Sequence, residues 1–215
     1  MSQPGNSPSR GWLRRALKII VIVELIYLVL VNGLLYLPLT QDVVNMIRPE
    51  KFHVSWERAW SWYPFRVHAR GVAANGQARS QQWQFSTPEV SGSIAVLPLI
   101  FKRVWVSDVE GRDIDYRQRP RLKPGKDYSA LLPHFPDIEG REIAPAVTTP
   151  RKQKRPWKIA IDNARASGSH SFWIFNMRGT GEGSMLADLT FETRGGPFSL
   201  DGRDLDLQLA PLYIN

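Results

Sequence analysis

Residues 19–37, IIVIVELIYLVLVNGLLYL, form an apolar run broken only by Glu24, Asn32 and Gly33. A helix needs roughly 20 such residues to cross a hydrocarbon core of about 30 Å. The run therefore predicts a transmembrane anchor over 16–38, with a short segment, 1–15, ahead of it. A cleaved secretory signal would instead carry an apolar core of about 7–15 residues and a small-x-small cleavage site. LLYLPLTQD offers no such site. After the run, Thr40 can cap a short connector helix bearing Val43, Val44 and Ile47 and stopped by Pro49.

Beyond the connector the apolar period drops from helical to two. Phe52, Val54 and Trp56 alternate with polar neighbours, then Phe65, Val67 and Ala69 do so before Gly71. Short runs follow at Trp83 and Phe85, over 90–96 and over 104–106, with one helical turn in LPLIFKR between them. Later, Trp157, Ile159 and Ile161 alternate ahead of HSFWIFNM, and the glycine-rich RGTGEG reads as a hairpin turn before LTFET. Alternation marks half-buried strands, and strands this close leave no room for crossover helices. The expected fold is mainly β: an antiparallel, twisted meander with one or two short helices, open as a sheet or groove. A first β region, 40–132, is separated from a second, 157–215, by residues 133–156. Five prolines and the basic run RKQKR fall in that segment, which predicts an exposed loop.

Charge changes the picture at the front. The chain has 28 Lys and Arg against 20 Asp and Glu, but Arg10, Arg14, Arg15 and Lys18 cluster ahead of the apolar run. With these and Glu24 set aside, 24 cationic side chains face 19 acidic ones, too mild a surplus for a nucleic-acid-binding stripe. No nucleic-acid partner is expected. The cluster instead sets topology: by the positive-inside bias the N-terminus stays cytoplasmic and the bulk of the chain lies across the membrane. Glu24, acidic within the span, reads either as reaching toward the interface or as a polar contact to a partner helix. Trp56, Trp60, Trp62 and Tyr63, just past the anchor, read either as an interfacial belt or as a core corner.

Chemistry is sparse. There is no cysteine, and His53, His68, His134 and His170 show no metal-ligand spacing. A nucleophile elbow of the G-x-S-x-G type does not occur. Gly179 to Ser184 lacks the following helix that a phosphate loop requires. Neither an enzyme nor a cofactor is expected. The one internal repeat, GRDIDYR at 111–117 and GRDLDLQ at 202–208, places Asp113 and Asp115, and likewise Asp204 and Asp206, opposite aliphatic neighbours. It reads as one amphipathic strand written twice.

The anchor, the short helix, and the stretches VSWERAWSWYPFRVHARGV, VSGSIAVLPLIFKRVWVSDVEGRDIDYR and WKIAIDNARASG together resemble the N-terminal region of AsmA-like envelope proteins of Gram-negative bacteria. The resemblance implies a single-pass inner-membrane protein whose β-sheet lies in the periplasm. It also implies an apolar groove that takes phospholipid acyl chains and helps to transfer phospholipid for outer-membrane integrity. On that reading Ile159, Ile161, Phe172, Ile174, Leu189, Phe191, Leu205 and Leu207 face lipid, and Arg14, Arg15, Lys18 and Glu24 serve topology or a partner. The family's members are usually much longer, so this chain is a short relative or a first segment. An alternative reading makes the chain a scaffold or assembly subunit of an envelope export machine. It would offer the strand edge over 205–212 to a β-protein partner, or relay lipopolysaccharide as a small anchored jelly roll.

Overall fold

The computed structural model describes residues 10–47, 49, 51–62, 65–78, 80–95, 97–123, 125–140, 156–192 and 197–214. The apolar run forms α1 (Arg10–Tyr36), in which an 18-residue window of Gly11–Tyr36 has a mean hydropathy of 2.4 and contains no buried residue. It is long and apolar enough to cross a membrane. Helix α2 (Pro38–Ile47) begins three residues earlier than a Thr40 cap requires, because Pro38 suits a first helical turn where no N–H is needed. The Thr40 hydroxyl instead donates back to the Leu34 carbonyl. α2 is tied down by its amides: Gln41 Nε2 donates to the Trp56 carbonyl at 2.8 Å, and Asn45 bonds both the N–H and the C=O of Val54.

One sheet holds every described strand: β1 (Phe52–Ser55), β2 (Arg58–Trp60), β3 (Arg66–Gln77), β4 (Gln81–Ala95), β5 (Arg103–Arg112), β6 (Asp115–Pro120), β7 (Lys158–Ile174), β8 (Met177–Glu192), β9 (Phe198–Leu209) and β10 (Tyr213–Ile214). Several of the short runs in the sequence fuse into longer strands. β3 passes through Gly71, at φ +59, instead of ending there, and β7 runs 17 residues, about 55 Å at the usual rise. β1 and β2 follow one another along β3, as β5 and β6 do along β4. Pairing within each half is antiparallel, as the alternation predicts. The two halves meet differently: β5 and β6 pair with β7 in parallel, so the sheet is mixed. A parallel neighbour needs a long return of the chain, and residues 121–157 supply it. Helix α3 (Leu97–Ile100) is the single turn between β4 and β5.

The returning segment is not wholly exposed. After a 3-10 turn at Leu132–His134, Pro136 and Ile138 are buried against the end of β4 and β6. There the buried Arg119 guanidinium donates to Gln82 Oε1 at 3.0 Å and to the Pro136 carbonyl at 3.3 Å. Basic residues 151–155 and the rest of 141–155 lie outside the described residues.

Three residues leave the extended geometry in a common way. Asp108, Asp113 and Asn163 sit at φ +50, +47 and +54, the left-handed region that Asp and Asn tolerate best. The pairing of β5 with β4 slips by one residue around Asp108, that of β7 with β8 slips at Asn163, and that of β9 with β8 slips at Arg203. Each extra residue is a β-bulge, and it resets which alternate positions face the same side. The bulges at 108, 163 and 203 lie side by side and are bonded across four strands. Asn163 Nδ2 donates to Asp108 Oδ1 at 3.0 Å, and Arg203 Nη2 donates at 2.7 Å to both Asn163 Oδ1 and Asp188 Oδ1.

Candidate functional site

Side chains that pair across neighbouring strands point to the same face, with Cβ atoms about 4.5–5.5 Å apart. Ile159 pairs with Phe191, and Ile161 with Leu189, which in turn pairs with Leu200. Val104 and Val106 of β5 continue these rows on the other side of β7. Past the bulge at Asn163 the parity changes, so Ala164, Ala166, His170, Phe172 and Ile174 join the face that Ile159 and Ile161 occupy. Past Arg203 the same happens in β9, and Leu205, Leu207 and Leu209 join it through Met185, Gly183 and Gly181. The structure thus brings Ile159, Ile161, Phe172, Ile174, Leu189, Phe191, Leu205 and Leu207 onto one face. Strict alternation would have split Ile161 from Phe172, and Leu200 from Leu205.

No second layer of described residues covers that face. Of its large side chains Leu200, Leu205 and Leu209 are exposed, Leu205 at 71 %, while Ile159, Ile161, Phe172, Ile174, Leu189, Phe191 and Leu207 are half-buried and His170 is buried. Across the described residues the buried apolar side chains are only Ala59, Leu122, Pro136, Ile138 and Ala166. A soluble sheet normally buries one face, so the exposure of this one is the unusual feature of the molecule.

RGTGEG is not the expected turn. Gly179, Gly181 and Gly183 lie inside β8, and the hairpin is made instead between Ile174 and Met177. A Cβ at 179 would come within 2.6 Å of the Phe172 ring and 2.7 Å of a Leu212 methyl; at 181 it would meet Leu209 and Leu207. Period-two glycine marks a strand face over which neighbouring large side chains lie flat. That alternation was the signal in the sequence.

The opposite face carries charge. Arg70 pairs with Glu89 at 2.9 Å, Arg66 approaches Glu110 at 3.8 Å, and Asp115 bonds Arg117 Nε and the Ser171 hydroxyl. Asp204 and Asp206 pair with Leu186 and Ser184, opposite the leucine row. Asp113 accepts the Ser169 N–H at 2.8 Å. The two copies of the repeat are not one strand written twice: the first spans the end of β5 at Arg112 and the start of β6 at Asp115, with Asp113 between them at φ +47, whereas the second lies within β9. Gly111 and Ile114, and likewise Gly202 and Leu205, stand three residues apart yet share the apolar face, because one residue between them is the extra one. Among the described residues no group of three or more His, Asp or Glu side chains is gathered as for a metal.

Arg14, Arg15 and Lys18 are exposed near the start of α1, and Glu24 is half-buried. The Tyr27 hydroxyl bonds the Ser61 hydroxyl and the Phe65 N–H, and the amide of α1 engaged at the same turn is Asn32. It donates from Nδ2 to the Ser61 carbonyl and accepts the Ser61 N–H at Oδ1, each at 2.8 Å. The aromatic cluster divides: Trp56 Nε1 donates to the Leu35 carbonyl at 3.3 Å, Trp60 stacks on His68, Trp62 is exposed, and Tyr63 lies outside the described residues. A cleft of about 1020 Å³ lies away from the apolar face, beside α3, lined by Leu97, Ile100, Phe101, Trp105 and Lys158.

Searches of known family models, curated proteins and solved structures found no match to this chain.

Proposed function

We propose that this chain is a single-pass membrane protein that takes phospholipid acyl chains on the apolar face of its sheet and serves lipid handling in the cell envelope, as the AsmA-like proteins it resembles do. The observation that carries this reading is the gathering of Ile159, Ile161, Phe172, Ile174, Leu189, Phe191, Leu205 and Leu207 on one uncovered face. Water at such a face costs about 25 cal/mol for each Å² of apolar surface, and acyl chains remove that cost without demanding hydrogen bonds. The bulges that align the face are built from polar residues bonded on the other side. Arg14, Arg15 and Lys18 keep the N-terminus in the cytoplasm, which puts the sheet in the periplasm of an inner-membrane protein. The reading assigns no catalytic residue and no cofactor.

The test is native mass spectrometry, with lipid extraction, of the full chain taken from membranes in mild detergent. Phospholipid should co-purify, and Ile161→Asp or Phe191→Asp should remove it while circular dichroism keeps its strand signal. A folded protein that carries no lipid would overturn the reading.

One observation favours a second role. The outer edge of β9 has no partner among the described residues, and such an edge accepts a strand from another β-protein. A proline at Leu207, blocking the ladder, would then abolish a crosslink to that partner without releasing lipid.

A further inference from the structure

We propose that one end of the sheet is sunk into the bilayer leaflet that the C-terminal half of α1 crosses. The inference rests on α1 spanning a membrane and not on lipid carriage by the apolar face.

Four bonds fix the depth. As α1 runs from Tyr27 to Leu35, Phe65, Ser61 and Trp56 bond to it in turn: Phe65 N donates to the Tyr27 hydroxyl at 2.9 Å, Ser61 is held twice by Asn32, and Trp56 reaches the Leu35 carbonyl. At 1.5 Å per residue, Asn32 lies about 6 Å and Tyr27 about 13 Å below the Tyr36 end of the helix. A hydrocarbon core is about 30 Å thick, so the turn between β2 and β3 reaches well into one leaflet. The polar groups of Ser61 and the N–H of Phe65 suit that depth. Ser61 N–H and C=O are satisfied by Asn32, its hydroxyl donates to the Arg66 carbonyl, and Phe65 N–H is satisfied by Tyr27. Backbone in a bilayer needs such internal partners.

The side chains at this end match the surroundings. Trp62 is 68 % exposed, and Phe65 is exposed as well, held at φ +69, a conformation a bulky residue keeps only when its neighbours impose it. Tyr27 imposes it, through the bond and an edge contact between rings 6.3 Å apart. Ile94 N–H donates to the Phe65 carbonyl, which ties the end of β4, and so α3, to the same level. On α3 and just after it, Leu97, Ile100 and Phe101 are each about three-quarters exposed. Three large apolar side chains on one uncovered turn are unfavourable in water and favourable among acyl chains. Lys102, Arg103 and Lys158 follow directly, where Lys158 N–H donates to the Lys102 carbonyl. This order of apolar tip and then cations is that of a segment whose tip is in hydrocarbon and whose rim meets anionic headgroups.

The chain has no cysteine, so a spin label on one introduced cysteine reports one place. Trp62→Cys, Phe101→Cys, Val29→Cys in the helix and Asn176→Cys at the far end of the sheet would be labelled in the full chain. Each would be reconstituted in vesicles of phosphatidylcholine and phosphatidylglycerol, and relaxation by oxygen compared with that by a water-soluble nickel chelate. Labels at 62 and 101 should match 29, with oxygen favoured several-fold, while 176 favours nickel. Labels at 62 and 101 that behave like 176 would overturn the proposal. So would a nickel-exposed label at 29, by removing the span itself; the lipid-extraction result is unaffected by either outcome.

Discussion

The carboxylate of Asp113 occupies the space that a side chain on Gly168 would need: a Cβ there would fall 2.2 Å from Asp113 Oδ1, and Gly168 holds φ +102. Here the parallel pairing of β7 with β5 changes to its pairing with β6, with the offset increasing by one residue. Asp113 and Gly168 are together the joint at which that change is made.

Gly168→Ala should therefore cost about 1–3 kcal/mol, from the left-handed backbone and the clash. Thermal unfolding of the full chain in detergent measures it. Asp113→Gly in the same chain should return part of the loss, since it clears the clash and suits φ +47. Additive effects would show that the two residues act independently.

The bonded bulge row gives a second expectation. Asn163→Ala should destabilise by about 1–2 kcal/mol, losing both side-chain bonds and tolerance of φ +54. Asn163→Gly loses the same bonds but keeps the backbone freedom, so it should cost less. If Gly is as harmful as Ala, the left-handed conformation is not what the position requires. Arg203 and Asp188 are partly exposed, and Arg203→Ala should cost no more than about 1 kcal/mol.

Asn32→Leu makes the membrane helix more apolar and should nonetheless make the protein less stable. Ser61 is 1 % exposed, and its N–H and C=O would lose their partners, at about 1–3 kcal/mol for each buried group left bare. The melting temperature in detergent should fall; an unchanged value would mean that the β2–β3 turn is not docked on α1.

Tyr116 donates its hydroxyl to Gln118 Oε1 at 2.7 Å, and burial raises its pKa above the ordinary 10.0. The neutral phenol is the form favoured in the folded state, so its contribution is complete below pH 10 and is lost as the solution passes upward through the raised folded value. Tyr116→Phe should flatten that alkaline loss in a stability profile. A profile identical to that of the parent would exclude Tyr116 as its source.

The element types were legible because period alone distinguishes a 19-residue apolar run from alternating strands. The face shared by Ile161 and Phe172 was legible as a hydrophobic set, though not by counting. Their separation of eleven residues has the wrong parity, and only the extra residue Asn163 corrects it. What the residues did carry was a mark of the correction, an Asp or Asn three residues into apolar–x–x–apolar, as in VSDV at 106–109 and IDNA at 161–164. The glycines of RGTGEG misled because glycine serves both turns and crowded strand faces, and only their neighbours Phe172 and Leu207 decide between the two. The parallel join of β5 with β7 depends on where residues 121–157 lead the chain, which no local pattern records.

A single layer with five buried apolar side chains among its described residues gives the molecule unusual calorimetry. The heat capacity of unfolding and the denaturant slope both scale with surface newly exposed, and here part of the apolar surface, that of Leu200, Leu205 and Leu209, is exposed before unfolding begins. The empty sheet should have a shallow stability curve and a small slope for its length. Filling the face with acyl chains should steepen both, so that a lipid-loaded molecule melts as a larger protein would.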